Sequence, residues 1–589
     1  MGVPKFFKWL IDNYPEHKIV LPEMPKEVDR LYIDANGLFH PMCFDILKLN
    51  PKLNDIEKLE KKMFKRIMAY IEYLTITVNP KKSLFVSVDG VAPMAKMNQQ
   101  RKRRFRSIDD ARLRESIKKS HGHPADIPWS NTVITPGTKF MEDLMSYLQL
   151  KLSQLQKKIK IQVTLSPYNV PGEGEHKILN DIRNRHASGT DDEVCVIHGL
   201  DADLIFLTLS SQRKGIYLMR EASQFGSSKD DNKDILEDDV SKDLNFVDID
   251  TMTNLYIEQL ETKITEKAEL LEIETVDLAS RKREILNDFI FICYFLGNDF
   301  LPHIPSIEIA TGGLDMIIDI YAEQYTISGG KSIVQLTKDG DTIVNVTIGE
   351  LVNNFAEKLA KSEIHYFRVE LPEHVEHVKR RRCYASDKCE KELWDLEHMR
   401  RYKVEDPIKL GEGESINWKH RYYSHYFGVV SDQSQLVQNL CNSYAEGLIW
   451  VAQYYFVGCQ DYQWQYPYTH APFISDLAEY LKSHSIKEVI IKAKPPLPPC
   501  CQLLSVLPPS CTDLLPASYR WLVTDDRSPI IDLYPKEVML DMINKEMYWM
   551  CVPMIPAVEA ERVLEAVKDL PLTKEERSRN SFGKDVVYG

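Results

Sequence analysis

Residues 193–203 read EVCVIHGLDAD, a short apolar run that ends in two aspartates. Two earlier runs have the same form: RLYID at 30–34 ends at Asp34, and SLFVSVDG at 83–90 carries Asp89 near its end. Short runs rich in β-branched and apolar residues, bounded by glycine or polar residues, are typical of strands. We therefore predict strands at 30–33, 83–88 and 193–197, with two more at 161–165 and 215–220.

Helical stretches at 55–78, 96–119 and 139–158 lie between the first three of these strands in chain order. Strands that alternate with helices predict an α/β fold with a mainly parallel central sheet flanked by helices. We expect this core to occupy residues 1–330. Further along we expect a polar loop at 223–245, a helical region from about 250 to 297, a hairpin at 332–348, and a charged arm or linker at 362–416. Residues 331–416 thus join the core to a second, mixed and loop-rich block at 417–589.

The composition is that of a globular protein. The chain has 589 residues, 43% of them hydrophobic, and a net charge of 74 − 87 = −13. Its longest uncharged apolar run, FIFICYFLG at 289–297, is too short to cross a bilayer. The eleven cysteines include no CxxC pair, which argues against a zinc site and a disulfide scaffold.

Seven acidic residues occupy positions that a parallel sheet would bring together. Four lie at predicted strand ends, two lie in the glycine-rich loop VPGEGEHKIL at 170–179, and one follows the apolar run that ends in LGN; they are Asp34, Asp89, Asp201, Asp203, Glu173, Glu175 and Asp299. Functional groups gather at the carboxyl ends of parallel strands. Clustered carboxylates repel one another unless cations neutralise them, and Mg²⁺ or Mn²⁺ prefers oxygen ligands. Two such ions, about 4 Å apart, can flank a phosphoryl displacement. Taken singly, each acid could instead be a turn or capping residue.

A basic segment begins seven residues after Asp89. Residues 96–119 contain ten Lys or Arg and three acids. Lys96, Gln100, Arg103 and Arg104 fall at i, i+4, i+7 and i+8, and therefore share one face of a helix. Forked guanidinium donors with a lysine suit a terminal phosphate. A solvated helix face or a nuclear-localisation signal (RKRRFR) is the alternative.

Long motifs across the chain resemble the Xrn family of 5′→3′ exoribonucleases. In the first block they are MGVPKFFKWL, LYIDANGLFH, SVDGVAPMAKMNQQRKRRF, ITPGTKFM, VPGEGEHKI, HGLDADLI and LGNDFLPH. In the second they are GLIWVAQYYFVGCQDYQWQYPYTHAPFISDL, SPIIDLYPKE and RNSFGKD. The part of the resemblance that carries the seven acids is shared more distantly with flap endonucleases and PIN-like nucleases. The resemblance therefore implies a PIN/FEN-like nuclease core.

The resemblance assigns roles to individual residues. The seven acids correspond to the family's site for two Mg²⁺ or Mn²⁺ ions. Lys96, Gln100, Arg103 and Arg104 correspond to its pocket for a 5′-monophosphate. His40 and Trp464 correspond to aromatic side chains that stack on the first bases, although Tyr462 stands where the family has a tryptophan beside the latter. Met94 stands where the family has an arginine.

The resemblance also implies an activity and its partners. We expect a processive enzyme that degrades single-stranded RNA with a 5′-monophosphate to nucleoside 5′-monophosphates. The chain would be a catalytic core closer to the cytoplasmic branch, since 210–300 lacks the ligands of the nuclear branch's zinc knuckle. We expect a cytoplasmic monomer without a membrane partner and with the decapping machinery as a candidate partner; a nuclear location stays open. The alternatives are a structure-specific endonuclease acting on flaps and a catalytically silent RNA-binding scaffold.

Overall fold

The computed structural model of this chain describes most of its 589 residues. The described ranges are 6–14, 19–24, 26–53, 55–123, 129–186, 193–199, 203–221, 239–274, 276–339, 342–484, 486 and 492–589. Within them, no helix combines the length and the apolar character needed to cross a membrane. The positions of Asp201 and of most of the expected polar loop at 223–245 lie outside the described residues.

An eight-stranded sheet forms the centre of the first block. Its order is β1-β7-β6-β5-β2-β3-β4-β12. The five central strands, from β6 to β4, are parallel, and the strands beyond them are antiparallel. The mainly parallel sheet expected from the sequence is therefore confirmed. Its strands are β1 (Val20–Leu21), β2 (Arg30–Asp34), β3 (Ser83–Ser87), β4 (Gln162–Ser166), β5 (Cys195–His198), β6 (Ile216–Glu221), β7 (Leu244–Asp248) and, after two hairpins, β12 (Val586–Tyr588).

The hairpins lie outside this sheet. The first joins β8 (Val334–Asp339) to β9 (Thr342–Ile348) and confirms the expectation for 332–348. The second joins β10 (Leu540–Asp541) to β11 (Val552–Pro553).

Helices cover both faces of the sheet and build most of the second block. In chain order they are α1 (Phe6–Asn13), α2 (Ala35–Leu49), α3 (Ile56–Val78), α4 (Met94–Ser120), α5 (Lys139–Ile159), α6 (Gly174–His186), α7 (Asp203–Ser210), α8 (Ile249–Leu271), α9 (Lys282–Ile292), α10 (Gly313–Ile327), α11 (Leu351–Ala360), α12 (Leu371–Lys379), α13 (Lys388–Glu397), α14 (Ser415–Phe427), α15 (Ser434–Phe456), α16 (Ile474–Ser483), α17 (Pro499–Val506), α18 (Ala560–Val567) and α19 (Lys574–Arg579).

Alternate residues of the central strands enter two different apolar cores. In β2, Tyr32 packs on one face of the sheet, and Leu31 and Ile33 pack on the other. Successive side chains of a strand point to opposite faces, so a strand covered on both sides must be apolar throughout. This explains why the central strands read as continuous apolar runs. The first of the two cores continues into the second block through Leu448 and Tyr455 of α15.

Three expectations about the middle of the chain are wrong in detail. The segment 362–416 is not an extended arm, because it contains α12, α13 and the helical turns Glu363–His365 and Tyr366–Glu370. Its apolar residues are few but deeply placed: Phe367 is 1% exposed and Leu396 is fully buried. The end of the expected loop at 223–245 already belongs to β7, which pairs with β6. The helical region from 250 to 297 is divided, since α8 ends at Leu271 and α9 begins at Lys282. The proposed domain boundaries stay predictions.

Candidate active site at the carboxyl edge of the sheet

The parallel register brings the acidic residues to one edge of the sheet. Asp34 pairs with Ser87, which in turn pairs with Ser166, so β2, β3 and β4 end at the same level. Asp89 follows β3, and the loop after β4 leads to Glu173 and the start of α6. Asp203 begins α7, five residues after β5 ends at His198. The predicted convergence at this edge therefore follows from the register itself.

The backbone of Gly174 lies in close contact with two of these acids, Asp34 and Asp89. Its N–H donates a hydrogen bond of 2.6 Å to Oδ1 of Asp89. A Cβ atom at this position would lie 2.6 Å from Oδ1 of Asp34 and 3.3 Å from Oδ1 of Asp89. A residue with a side chain would therefore force the carboxylate of Asp34 to move, because real Cβ atoms essentially never approach other atoms within 3.0 Å. Asp34 and Asp89 thus face the same point at the N-terminus of α6.

Lys96 connects two other members of the group. Its Nζ lies 2.6 Å from Oε2 of Glu173 and 2.7 Å from Oδ2 of Asp299. Tyr454 of the second block donates a 2.7 Å hydrogen bond to the other oxygen of Glu173. Gln99 donates a 3.2 Å bond to Oδ1 of Asp299. The side chains that hold these acids therefore come from both blocks of the chain.

The electrostatics show that six acids share one environment. Burial alone would lower the pKa of the Lys96 ammonium. The surrounding carboxylates outweigh burial and raise this pKa well above its ordinary value; they are Asp299, Glu173, Glu175 and Asp203. Burial raises the pKa of Asp89, and the hydrogen bond from Gly174 acts against it. Four carboxylates thus surround Lys96, and Asp34 and Asp89, beside Gly174, also act on the buried Lys177.

A divalent cation suits the donors present here. All six acids offer oxygen atoms, and four of them are almost completely buried, at 6% exposed or less: Asp34, Glu173, Glu175 and Asp203. Buried negative charge in this excess requires neutralisation. As the side chains stand, no three acidic, histidine or cysteine residues of the described ranges form a ready-made metal site. The metal assignment accordingly stays a prediction, which the chemistry of the donors supports.

The basic face of α4 adjoins these acids. Arg104 donates a 2.7 Å hydrogen bond to Oγ1 of Thr135, a fully buried residue. Burial, together with the charge of Arg103, lowers the pKa of Arg104 to about 9. Its other terminal nitrogen and the side-chain oxygen of Gln100 are buried and have no hydrogen-bond partner in the part of the chain that the structure describes. No carboxylate within the described residues pairs with Arg103 or Arg104, so this face of α4 carries positive charge that is not neutralised by an acid; the anion pocket expected here stays a prediction.

Four other arginines of α4 make contacts within the protein. Arg101 is fully buried and donates to the carbonyl oxygens of Ser505 and Leu533. Arg106 donates a 3.0 Å bond to the carbonyl oxygen of Cys551. Beyond them, Arg112 and Arg114 pair with acids of the same helix. The basic segment therefore divides into a pocket face, an anchor for the second block and a solvated end.

The two expected stacking residues occupy different surroundings. Trp464 lies against Trp450, with ring centroids 5.0 Å apart and planes at 22°. Its backbone N–H bonds to Asp461 at 3.1 Å. His40 is half-buried on α2, the helix that begins directly after Asp34. Their role on RNA bases stays a prediction.

Sequence reasoning missed three residues that organise this edge. Tyr454 was seen only as part of an aromatic motif. Thr135 was quoted only within the motif ITPGTKFM, and its bond to Arg104 joins segments 31 residues apart. Lys177 donates to the carbonyl oxygens of Val88 and Pro167 at 2.7 and 3.0 Å, and burial lowers its pKa to about 7. Its position directly after GEGEH was the one available signal.

Comparison with protein families gives matches along the chain. Residues 1–222 match the model described as "XRN 5'-3' exonuclease N-terminus". Residues 281–391 and 352–588 match the model described as "Xrn1 helical domain".

Individual curated proteins are similar over the whole of this chain. 5'-3' exoribonuclease 1 of Homo sapiens is 32% identical and that of Saccharomyces cerevisiae 30%, both over 100% of this chain. The chain spans 35% and 44% of the lengths of these two relatives. 5'-3' exoribonuclease 2 of Arabidopsis thaliana is 30% identical over 100% of this chain and 69% of its own length.

Proposed function

Since the chain belongs to the XRN family of 5′→3′ exonucleases, we propose that it is a processive 5′→3′ exoribonuclease. The family resemblance expected from the sequence is thereby confirmed. The proposed substrate is single-stranded RNA with a 5′-monophosphate, and the proposed products are nucleoside 5′-monophosphates. The first block would be a PIN/FEN-like nuclease core. The cytoplasmic location, the monomeric state and the decapping machinery as partner stay predictions.

One observation supports this function most strongly. Lys96 belongs to both halves of the site: its backbone lies on the pocket helix α4, and its ammonium contacts Glu173 and Asp299. The anion pocket of Gln100, Arg103 and Arg104 therefore begins one or two helical turns from the acids. A group bound in the pocket would hold the adjacent phosphodiester beside the carboxylates. This arrangement favours removal of one nucleotide at a time from a phosphorylated end.

The acids are suited to hold the two divalent ions of the proposed reaction. When bound, such ions lower the pKa of water and stabilise charge on the leaving oxygen. The residues that would hold them are Asp34, Asp89, Glu173, Glu175, Asp203 and Asp299, with Asp201 as the seventh member expected from the family. Burial excludes bulk water from most of these side chains.

The chain's own groups would bind and orient the substrate. Arg103 and Arg104 would donate forked hydrogen bonds to the oxygens of the terminal phosphate, as guanidinium groups do with phosphates. Hydrolysis at the adjacent bond leaves a new 5′-phosphate, which fits the same pocket. The shortened strand can thus move forward and bind again in the same pocket. This accounts for the 5′→3′ direction of degradation and for its processivity.

The decisive test uses RNA labelled at either end. Incubated with Mg²⁺, a 5′-monophosphorylated strand should yield labelled mononucleotides from its 5′ end, and the matching 5′-hydroxyl strand should react at least about tenfold more slowly, because it lacks a charged group worth about 1.5–3 kcal/mol in hydrogen bonds. EDTA should stop the reaction. Internal fragments from a flap substrate would indicate the endonuclease, and binding without any cleavage would indicate the scaffold.

A further inference from the structure

One tyrosine of the second block borders the acidic edge and has no role in the site described above. The carbonyl oxygen of Tyr462 accepts a 2.8 Å hydrogen bond from the N–H of Met94, the first residue of α4. Arg103 and Arg104 lie further along the same helix, and Lys96 lies between them and this end. A strand that leaves the pocket and passes the ammonium of Lys96 is therefore directed toward Tyr462.

The hydroxyl of Tyr462 lies over the loop that carries Glu173. A Cβ atom built on Gly172 would be 3.5 Å from this hydroxyl oxygen. Gly172 has a φ of 103°, which favours glycine, so the loop presents backbone without a side chain to the phenol. The side chain of Tyr462 is half-buried. The phenol thus borders the group of acids and is still partly accessible.

This hydroxyl has no hydrogen-bond partner in the part of the chain that the structure describes. The polar groups around it already have partners. The two carboxylate oxygens of Glu173 contact Tyr454 and Lys96. The N–H and the carbonyl oxygen of Gly172 bond to backbone groups of the loop after β3, each at 2.9 Å. The hydrogen-bonding capacity of the phenol is therefore available to a ligand at this edge.

A neutral hydroxyl group is the ligand that suits this position. Burial, followed by the charges of Cys459 and Glu173, raises the pKa of Tyr462 above its ordinary value. The phenol therefore stays neutral at physiological pH, and it can both donate and accept a hydrogen bond. The nearby carboxylates disfavour a further anion beside it, such as a phosphate oxygen. The 2′-hydroxyl of a ribose carries no charge and can likewise both donate and accept.

We infer that the hydroxyl of Tyr462 hydrogen-bonds the 2′-hydroxyl of a nucleotide just 3′ of the phosphodiester at the acids, and so favours ribose over deoxyribose there. This inference rests on the proposed function for the identity and the direction of the strand. With the 5′-phosphate in the pocket and the first phosphodiester beside the acids, the sugar concerned is that of the second or third nucleotide. Tyr462 would thus add recognition of the sugar to recognition of the 5′-phosphate.

The test places a single deoxyribose at successive positions of a 5′-phosphorylated RNA. Octamers with a radioactive 5′-phosphate and one 2′-deoxynucleotide, at positions 1 to 6 in turn, are compared with the all-ribose strand. The measurement is kcat/KM for release of the first nucleotide in Mg²⁺. For the unaltered chain, the substitution at position 2 or 3 should lower kcat/KM about three- to tenfold, because one hydrogen bond is lost. Substitution at positions 5 and 6 should have no effect.

Tyr462→Phe should remove this dependence on the sugar. On the all-ribose strand its kcat/KM should fall by about the same factor as the deoxy substitution produces. On the strand with deoxyribose at the sensitive position, no further loss is expected, because both changes remove the same bond and their effects are then not additive. Tyr384→Phe is the matched control, since it removes a hydroxyl from a tyrosine that is 91% exposed and lies outside the site. It should behave as the unaltered chain does.

Several outcomes would overturn the inference. They are the absence of a deoxy effect at positions 2 and 3 in the unaltered chain, the persistence of that effect in Tyr462→Phe, and unchanged kcat/KM of Tyr462→Phe on the all-ribose strand. A loss in Tyr462→Phe that is equal on every strand would also overturn it, and would assign the hydroxyl to a phosphate or to the fold.

Binding gives a second measurement that does not depend on hydrolysis. Dissociation constants of the same strands in EDTA, measured by fluorescence anisotropy with a 3′ label, should show the same pattern across positions and variants. If the unaltered chain releases no nucleotide from any strand, the proposed function fails, and the dissociation constants then decide this inference by themselves.

Discussion

Glu175→Gln should lower the rate of mononucleotide release by about 10³-fold at saturating Mg²⁺. The amide keeps the shape of the side chain but removes one of the charges that would hold a cation. Metal ions contribute several kcal/mol of charge stabilisation in such reactions, and about 4 kcal/mol corresponds to a factor of about 10³. Asp203→Asn should lower the rate by a similar factor, since Asp203 and Glu175 both raise the pKa of Lys96 and therefore lie in the same acidic group. The measurement is the initial rate on 5′-phosphorylated RNA.

The matched control is Glu115→Gln on α4. Glu115 contacts Lys119 at 3.3 Å on the exposed end of that helix, and an exposed pair of this kind contributes little. Its rate should stay within about twofold of the unaltered chain. Each variant also needs an unchanged melting temperature, so that loss of rate is not loss of fold. Full activity of both Glu175→Gln and Asp203→Asn would refute the assignment of the acids.

Arg104→Ala should slow the reaction selectively for phosphorylated RNA. A hydrogen bond between charged partners contributes about 1.5–3 kcal/mol, so kcat/KM on a 5′-monophosphate strand should fall by about 10- to 100-fold. The 5′-hydroxyl strand makes no such bond, and its kcat/KM should change little. Arg112→Ala provides the control, because Arg112 is a 77% exposed arginine on the same helix.

Thermal stability separates a binding role of Arg104 from a structural one. Burial lowers the pKa of this guanidinium to about 9, so its charged form is less favourable in the fold than in water. That cost is fully present at neutral pH, below the folded pKa, and decreases only as the pH rises through about 9. Arg104→Ala removes this cost together with the hydrogen bond to Thr135, and because the two oppose each other its melting temperature should stay close to that of the unaltered chain. A large drop in melting temperature with equal loss on both RNA ends would indicate that Arg104 only supports the fold.

The sequence predicted the strands and the acids because both follow local rules. Apolar runs such as RLYID alternate with helices, and parallel strands place their last residues at one edge. The contacts of Lys96 could not be predicted in this way, because they join residue 96 to residues 173 and 299. Thr135 and Tyr454 were missed for the same reason. Such pairings depend on tertiary packing and leave no periodic signal.

Charge misled the prediction in the segment 362–416. Its many Lys, Arg and Glu residues favoured an extended arm, yet a few apolar residues such as Phe367 and Leu396 suffice to anchor its helices. The same difficulty applies to α4, where a fully buried Arg101 stands within RKRR beside the pocket residues. Composition could not separate the cations that hold the fold from those available to an anion.

The central claim is that the acids hold divalent ions beside an anion pocket. Crystals soaked with Mn²⁺ and a nucleoside 5′-monophosphate test it most directly through the anomalous difference density at the manganese edge. The account predicts Mn²⁺ peaks among Asp34, Asp89, Glu173, Glu175, Asp203 and Asp299, with the phosphate within hydrogen-bonding distance of Arg104. Mn²⁺ peaks only elsewhere on the chain, or a phosphate bound away from Arg103 and Arg104, would contradict it.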